Sequence, residues 1–149
     1  MTVYEFIEKH EGRRKRVYQC PAGANTIGVG WNMDANELPQ DISHFLAQNG
    51  YITDEMIDRM LKTSVRQAVA DCRVLFPDFD GINDARRMAL TDFVFQLGFR
   101  RARQFRKAIA AINTGRWEDA AKEMRDSAWF TQTPRRAQEV TDIIETGEL

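Results

Sequence analysis

The sequence predicts an α+β protein, and three observations carry that expectation. Strand-prone residues are confined to one stretch punctuated by Gly and Pro, 17-VYQCPAGANTIGVG-30. A long run from about Asp54 to Leu75 then sets Met56, Met60, Leu61, Val65, Ala68, Val69 and Cys72 at helical spacing. Beyond Pro77 the pattern stays helical to the end. A chain of 149 residues with a 43% hydrophobic fraction is long enough for one packed domain without staples.

The elements follow in order. Thr2-Val3-Tyr4-Glu5 reads as a capping box that opens a helix, with Gly12 closing it. Val17-Tyr18, Thr26-Ile27 and Val29 read as short strands of a small antiparallel sheet. Pro39 and Asn49-Gly50 punctuate the chain before the long helix, which Thr53 is placed to cap. Asn83 is placed to cap a helix from Asp84 to Leu97, with Gly98 at its end. Another helix begins after Arg103 and closes at Gly115, and Trp117 to Arg125 form a short amphipathic one. Thr133-Pro134 reads as N-cap and first helical residue of a last helix reaching about Glu145. The expected organisation is one domain over 1–149: an N-terminal lobe at about 13–53, a connecting helix at about 54–75, and a helical lobe at about 77–149. The first helix, about 2–11, is assigned to the helical lobe.

Charge and cysteine usage exclude several classes. With 21 basic and 22 acidic side chains the formal net charge is −1, unlike the strongly basic footprint of a general nucleic-acid binder. The basic groups are uneven, however. Lys9 and Arg13 to Arg16 form one cluster, and Arg100, Arg101, Arg103, Arg106 and Lys107 another. Cys20 and Cys72 do not make a disulfide framework, so both are expected as free thiols in a reducing compartment. The charged N-terminus lacks the apolar core of a signal peptide, and no run is apolar enough to span a membrane. No metal or cofactor is expected.

The chemistry concentrates in 10-HEGRRKRVYQCPAGANTIGVGWNMD-34, where eight residues separate Glu11 from Cys20 and five separate Cys20 from Thr26. Hydrolysis of a glycosidic bond needs a carboxylic acid to protonate the leaving oxygen and a second group to place water or stabilise an oxocarbenium-like transition state. Glu11, at a helix end beside a turn, suits the first role. Thr26 can hold a water, and Cys20 becomes a useful base only if its thiolate is favoured. Taken singly, each has an ordinary reading: a solvated charge, a small filler and a strand-forming residue.

The wider pattern resembles the phage-type lysozymes. That family carries Glu, eight residues, Asp or Cys, five residues, Thr, in the setting E-G-x(5)-Y-x-C-x(5)-T-I-G-x-G found here. Asp84-Ala85-Arg86-Arg87 with Phe93-Val94-Phe95-Gln96-Leu97-Gly98, then Trp117-Glu118-Asp119-Ala120-Ala121, then Trp129-Phe130-x-Gln132-Thr133-Pro134-x-Arg136-Ala137 match its later segments in order. The resemblance covers residues 1 to about 147. It implies a two-lobed fold with a cleft between the lobes, and hydrolysis of the β-1,4 bond between N-acetylmuramic acid and N-acetylglucosamine in peptidoglycan, with inversion. It implies Glu11 as general acid, Cys20 in place of the usual Asp, and Thr26 orienting the water. Arg136 matches the Arg that pairs with the catalytic Glu. Phe95, Gln96 and Phe105 match substrate-binding positions, as does Asn32, which stands where the better-known relative has another residue type.

The resulting expectation is a monomeric endolysin-type muramidase that binds peptidoglycan and no nucleic acid. It would be held in the host cytoplasm until lysis and then act on the wall. The alternative is a lysozyme-like domain that holds peptidoglycan, or acts as a scaffold, with weak or no catalysis. The intact Glu-Cys-Thr set argues against that alternative.

Overall fold

A computed structural model describes residues 1–149. The chain divides into two compact units, Met1–Val65 and Arg66–Leu149. As the sequence predicts, it is α+β, with a single three-stranded antiparallel sheet among helices.

The first unit opens with α1, Val3–Glu11. The capping box forms: the Glu5 amide donates to the Thr2 hydroxyl and the Thr2 amide to the Glu5 carboxylate, each at 3.1 Å. Phe6 and Ile7 are buried, and the helix stops at Gly12, whose φ of +77° suits glycine. The sheet follows in the order β1 (Arg14–Gln19), β2 (Asn25–Gly28), β3 (Trp31–Asn32). Val29, expected as strand, is buried in the turn between β2 and β3. A helix absent from the sequence reading, α2 (Gln40–Asn49), lies between Pro39 and Gly50, so those two residues mark its ends. Pro39 offers no side-chain cap, which removes the usual start signal.

The long helix α3 runs Asp54–Leu75, capped by the Thr53 hydroxyl accepting from the Met56 amide at 3.2 Å. Its 22 residues span about 33 Å. The division between the units falls within it. In the first unit Arg13 gathers Glu8, Asp54 and Asp58, tying the region just after α1 to the first turns of α3. These pairs are partly exposed, so each contributes at most about 1 kcal/mol.

In the second unit α4 (Asp84–Leu97) is capped by the Asn83 side chain, which accepts from the Arg86 amide at 3.0 Å. Residues 88–94 are buried without a break, so α4 is wrapped on all sides rather than on one stripe. Around it stand α5 (Phe99–Ala102), α6 (Arg106–Asn113), α7 (Trp117–Arg125), α8 (Ala128–Gln132) and α9 (Pro134–Thr146). α9 packs on both α4 and α7. The short α5 and α8 lie outside the sequence reading, and α6 starts at Arg106, after a turn.

One capping expectation is corrected. Pro134 does take the first helical position of α9, but the Thr133 side chain makes no cap bond. Its hydroxyl donates backward to the Trp129 carbonyl at 3.1 Å, the same carbonyl at the end of α8 that accepts the Thr133 amide at 3.0 Å. At the far end of α9, the Arg86 guanidinium donates to the carbonyls of Ile144 and Glu145 at 2.8 and 3.0 Å, and the Asn83 amide to that of Gly147 at 3.0 Å.

Candidate active site

Glu11 is the last residue of α1 and is half-buried. One constraint on it in the first unit is Gly30, in the turn between β2 and β3. A Cβ built on Gly30 would lie 2.8 Å from Glu11 Oε2 and 3.0 Å from its carboxyl carbon, and the Gly30 φ is +65°. Both close approach and backbone therefore demand glycine. Gly30→Ala is expected to lower stability by about 1–2 kcal/mol from the left-handed backbone alone and to push the carboxyl aside. Urea denaturation checks this; an unchanged midpoint would show that the turn relaxes freely.

Cys20 and Thr26 are held by the β1–β2 connection. The Gly23 amide donates to the Cys20 carbonyl at 2.8 Å, closing a four-residue turn with Pro21 at its second position, and the Cys20 amide donates to the Ala24 carbonyl at 3.0 Å. Cys20 is half-buried and Thr26 is buried. The Ala24 amide holds the Cys20 thiol below its ordinary pKa against the opposing effect of burial. The Ala22 amide, the Thr26 hydroxyl and the Gly23 amide add to it. The causes of this shift are backbone amides and a hydroxyl, not the basic run. The Thr26 hydroxyl has one proton. It goes to the Ala24 carbonyl at 3.0 Å. Cys72 is the opposite kind of cysteine: it is fully buried on α3, and burial pushes its thiol up to about 12.

The sheet adds a residue that the sequence reading did not single out. Tyr18 on β1 is the register partner of Thr26, and Thr26 is the partner of Asn32 on β3, so the three share one cross-strand row. Burial, then the charge of Glu11, raise the Tyr18 pKa against the pull of Arg14, and Cys20 adds to the rise. Tyr18 is therefore a neutral phenol within electrostatic reach of both groups. The Asn32 side-chain oxygen accepts from the amides of Asp34 at 2.9 Å and Ala35 at 3.1 Å, which shapes the following turn.

The other expected site residues belong to the second unit. Phe95 is half-buried on α4. Gln96, next to it, accepts from the Trp129 indole at 2.9 Å. Phe105, at the start of α6, meets Phe93 edge-on at 5.0 Å and Trp129 at 6.3 Å between ring centroids. Trp129 therefore joins Gln96 and Phe105 into one cluster. Arg136 on α9 forms a bidentate pair with Asp92 on α4, Nε to Oδ2 at 3.0 Å and Nη2 to Oδ1 at 2.9 Å. Asp92 is fully buried and the Arg136 side chain is 10% exposed.

A carboxylate at a helix end held against a small antiparallel sheet, with a long helix and a helical unit after it, is the arrangement of the lysozyme-like glycosidases. The sequence model of the phage lysozyme family matches residues 8–141, and the chain belongs to that family. It is a glycoside hydrolase. Over 99% of its length it is 29% identical to a probable T4-type lysozyme 2 of Dictyostelium discoideum, covering 96% of that protein. It is 32% identical to the pre-baseplate central spike protein Gp5 of Enterobacteria phage T4 over its full length, covering 28% of the spike protein. It is 37% identical over 89% of its length to the peptidoglycan hydrolase gp36 of Pseudomonas phage phiKMV, covering 14% of that chain.

Proposed function

We propose that this enzyme is a muramidase, hydrolysing the β-1,4 bond between N-acetylmuramic acid and N-acetylglucosamine in peptidoglycan. Glu11 protonates the glycosidic oxygen as the bond breaks. The positive charge that develops on the sugar draws in a water held by Thr26 and activated by Cys20, with net inversion. Asn32 from the first unit, and Phe95, Gln96, Phe105 and Arg136 from the second, supply substrate contacts. The protein acts as a monomer, waits in the host cytoplasm and reaches the wall at lysis.

The observation that carries this reading is the Glu11 carboxyl at the end of α1, set against the Gly30 turn of the sheet whose β1–β2 connection holds Cys20 and Thr26. Cys20 and Thr26 stand at the two ends of the turn-closed β1–β2 connection, and the Cys20 thiol is held below its ordinary pKa, chiefly by the Ala24 amide. A thiol whose pKa is lowered gains thiolate character, and in this reading it takes the part a carboxylate plays in two-carboxylate glycosidases. Mass analysis of products from purified peptidoglycan tests the reaction: reducing N-acetylmuramic acid ends are expected. A 1,6-anhydro end would mean a transglycosylase, and intact glycan would mean a binding domain.

The thiol has its own test. Cys20→Asp is expected to keep activity within about tenfold, because it restores an anion at the same place, while Cys20→Ala loses about a hundredfold, the low end for a general base. Initial rates on peptidoglycan suspensions measure both. Wild-type rates for Cys20→Ala would reduce the thiol to a spacer.

A further inference from the structure

The basic run of the second unit is not absorbed by the site described above. Between Gly98 and Gly115 the sequence contains Arg100, Arg101, Arg103, Arg106 and Lys107 and no acidic residue. All five cations are exposed. Other arginines of the same unit reach carboxylates: Arg73 with Asp80, Arg116 with Asp119, and Arg125 with Asp142 and Glu145. The five cations make no such pair; Arg103 lies only over the Phe99 ring, 5.9 Å from its centroid. A chain of net charge −1 has thus concentrated five uncompensated charges on α5, α6 and the turn between them.

Their place gives them a partner. The turn that carries them also carries Phe105, whose ring stands in the cluster with Trp129 and, through the indole, Gln96. Arg103 and Arg106 flank Phe105 in the sequence, so the collar adjoins this cluster. Resting on the muramidase reading, we propose that the α5–α6 collar binds the carboxylates of the peptide stems that hang from the glycan being cut. Arg is suited to this, because its planar fork takes a carboxylate by two hydrogen bonds. The collar supplies the substrate attraction that the overall charge does not.

The test compares native peptidoglycan with peptidoglycan whose stem carboxylates have been converted to amides by carbodiimide and ammonia. On native material at low salt, the triple variant Arg100→Gln/Arg101→Gln/Arg103→Gln is expected to raise KM about tenfold, with the loss on KM rather than kcat. The difference shrinks as salt shortens the screening length from about 10 Å at 0.1 M to about 3 Å at 1 M. On amidated material the variant and the wild type coincide. Equal losses on both substrates, or none on either, overturn the proposal. A variant that instead loses binding to phosphatidylglycerol vesicles while its KM on native peptidoglycan is unchanged makes the collar a lipid-binding surface, which also overturns it. Cosedimentation with native and amidated sacculi reads the collar without turnover. A wild type that gives no reducing muramic ends therefore fails the muramidase reading alone.

Discussion

Glu11→Gln is expected to abolish the clearing of peptidoglycan suspensions, with a loss on the order of a thousandfold, the middle of the range for a general acid. That is about 4 kcal/mol of transition-state stabilisation. The fold is expected to survive. Glutamine is the same shape, so it fills the space against Gly30 that the carboxyl fills, and the Thr2–Glu5 cap holds the other end of α1. Turbidity loss gives the rate, and circular dichroism with a thermal scan verifies the fold. Clearing at the wild-type rate by a folded variant would remove Glu11 from the chemistry.

The second large effect concerns stability. Asp92→Ala is expected to lower stability by about 3–5 kcal/mol, because it removes the fully buried carboxylate that takes two hydrogen bonds from the nearly buried Arg136. For a chain of this size that is a fall in Tm of roughly 10 °C. The double variant Asp92→Leu/Arg136→Met should recover most of the loss, since it removes both charges and keeps the volume. Scanning calorimetry on the two variants decides it. A fall of less than about 2 °C in the single variant would mean that water or another group takes over the guanidinium.

Asp92 also shows where the sequence stopped being legible. It stands in a helix segment whose residues 88–94 are all buried, so periodicity does not separate a packed face from a polar one. A buried acid there reads like any surface acid until its arginine, 44 positions away, is known. Caps made by local side chains were readable: Thr2 with Glu5, Thr53 and Asn83 all act as their positions predict. Thr133 failed because a carbonyl behind it competed for its hydroxyl, and α2 was missed because Pro39 supplies no cap. The spacing of Glu11, Cys20 and Thr26 is legible in the sequence. It does not reveal Gly30 beneath the carboxyl or the main-chain bonds that close the connection between Cys20 and Ala24. Those depend on how two turns fold, and the side-chain pattern records neither.

The fastening of the last helix carries a different lesson. Asn83 and Arg86 grip α9 through the main-chain carbonyls of Ile144, Glu145 and Gly147, and the Arg86 head also lies 4.2 Å from the centre of the Trp117 ring. Every residue type presents the same carbonyl, yet the clasp is not indifferent to the sequence it holds. A Cβ on Gly147, whose φ is +75°, would lie 2.9 Å from the Asn83 side-chain nitrogen and 3.0 Å from the central guanidinium carbon of Arg86, and Ile144 is fully buried. A grip on the main chain thus carries a side-chain demand of its own: only glycine leaves room for the groups that do the holding.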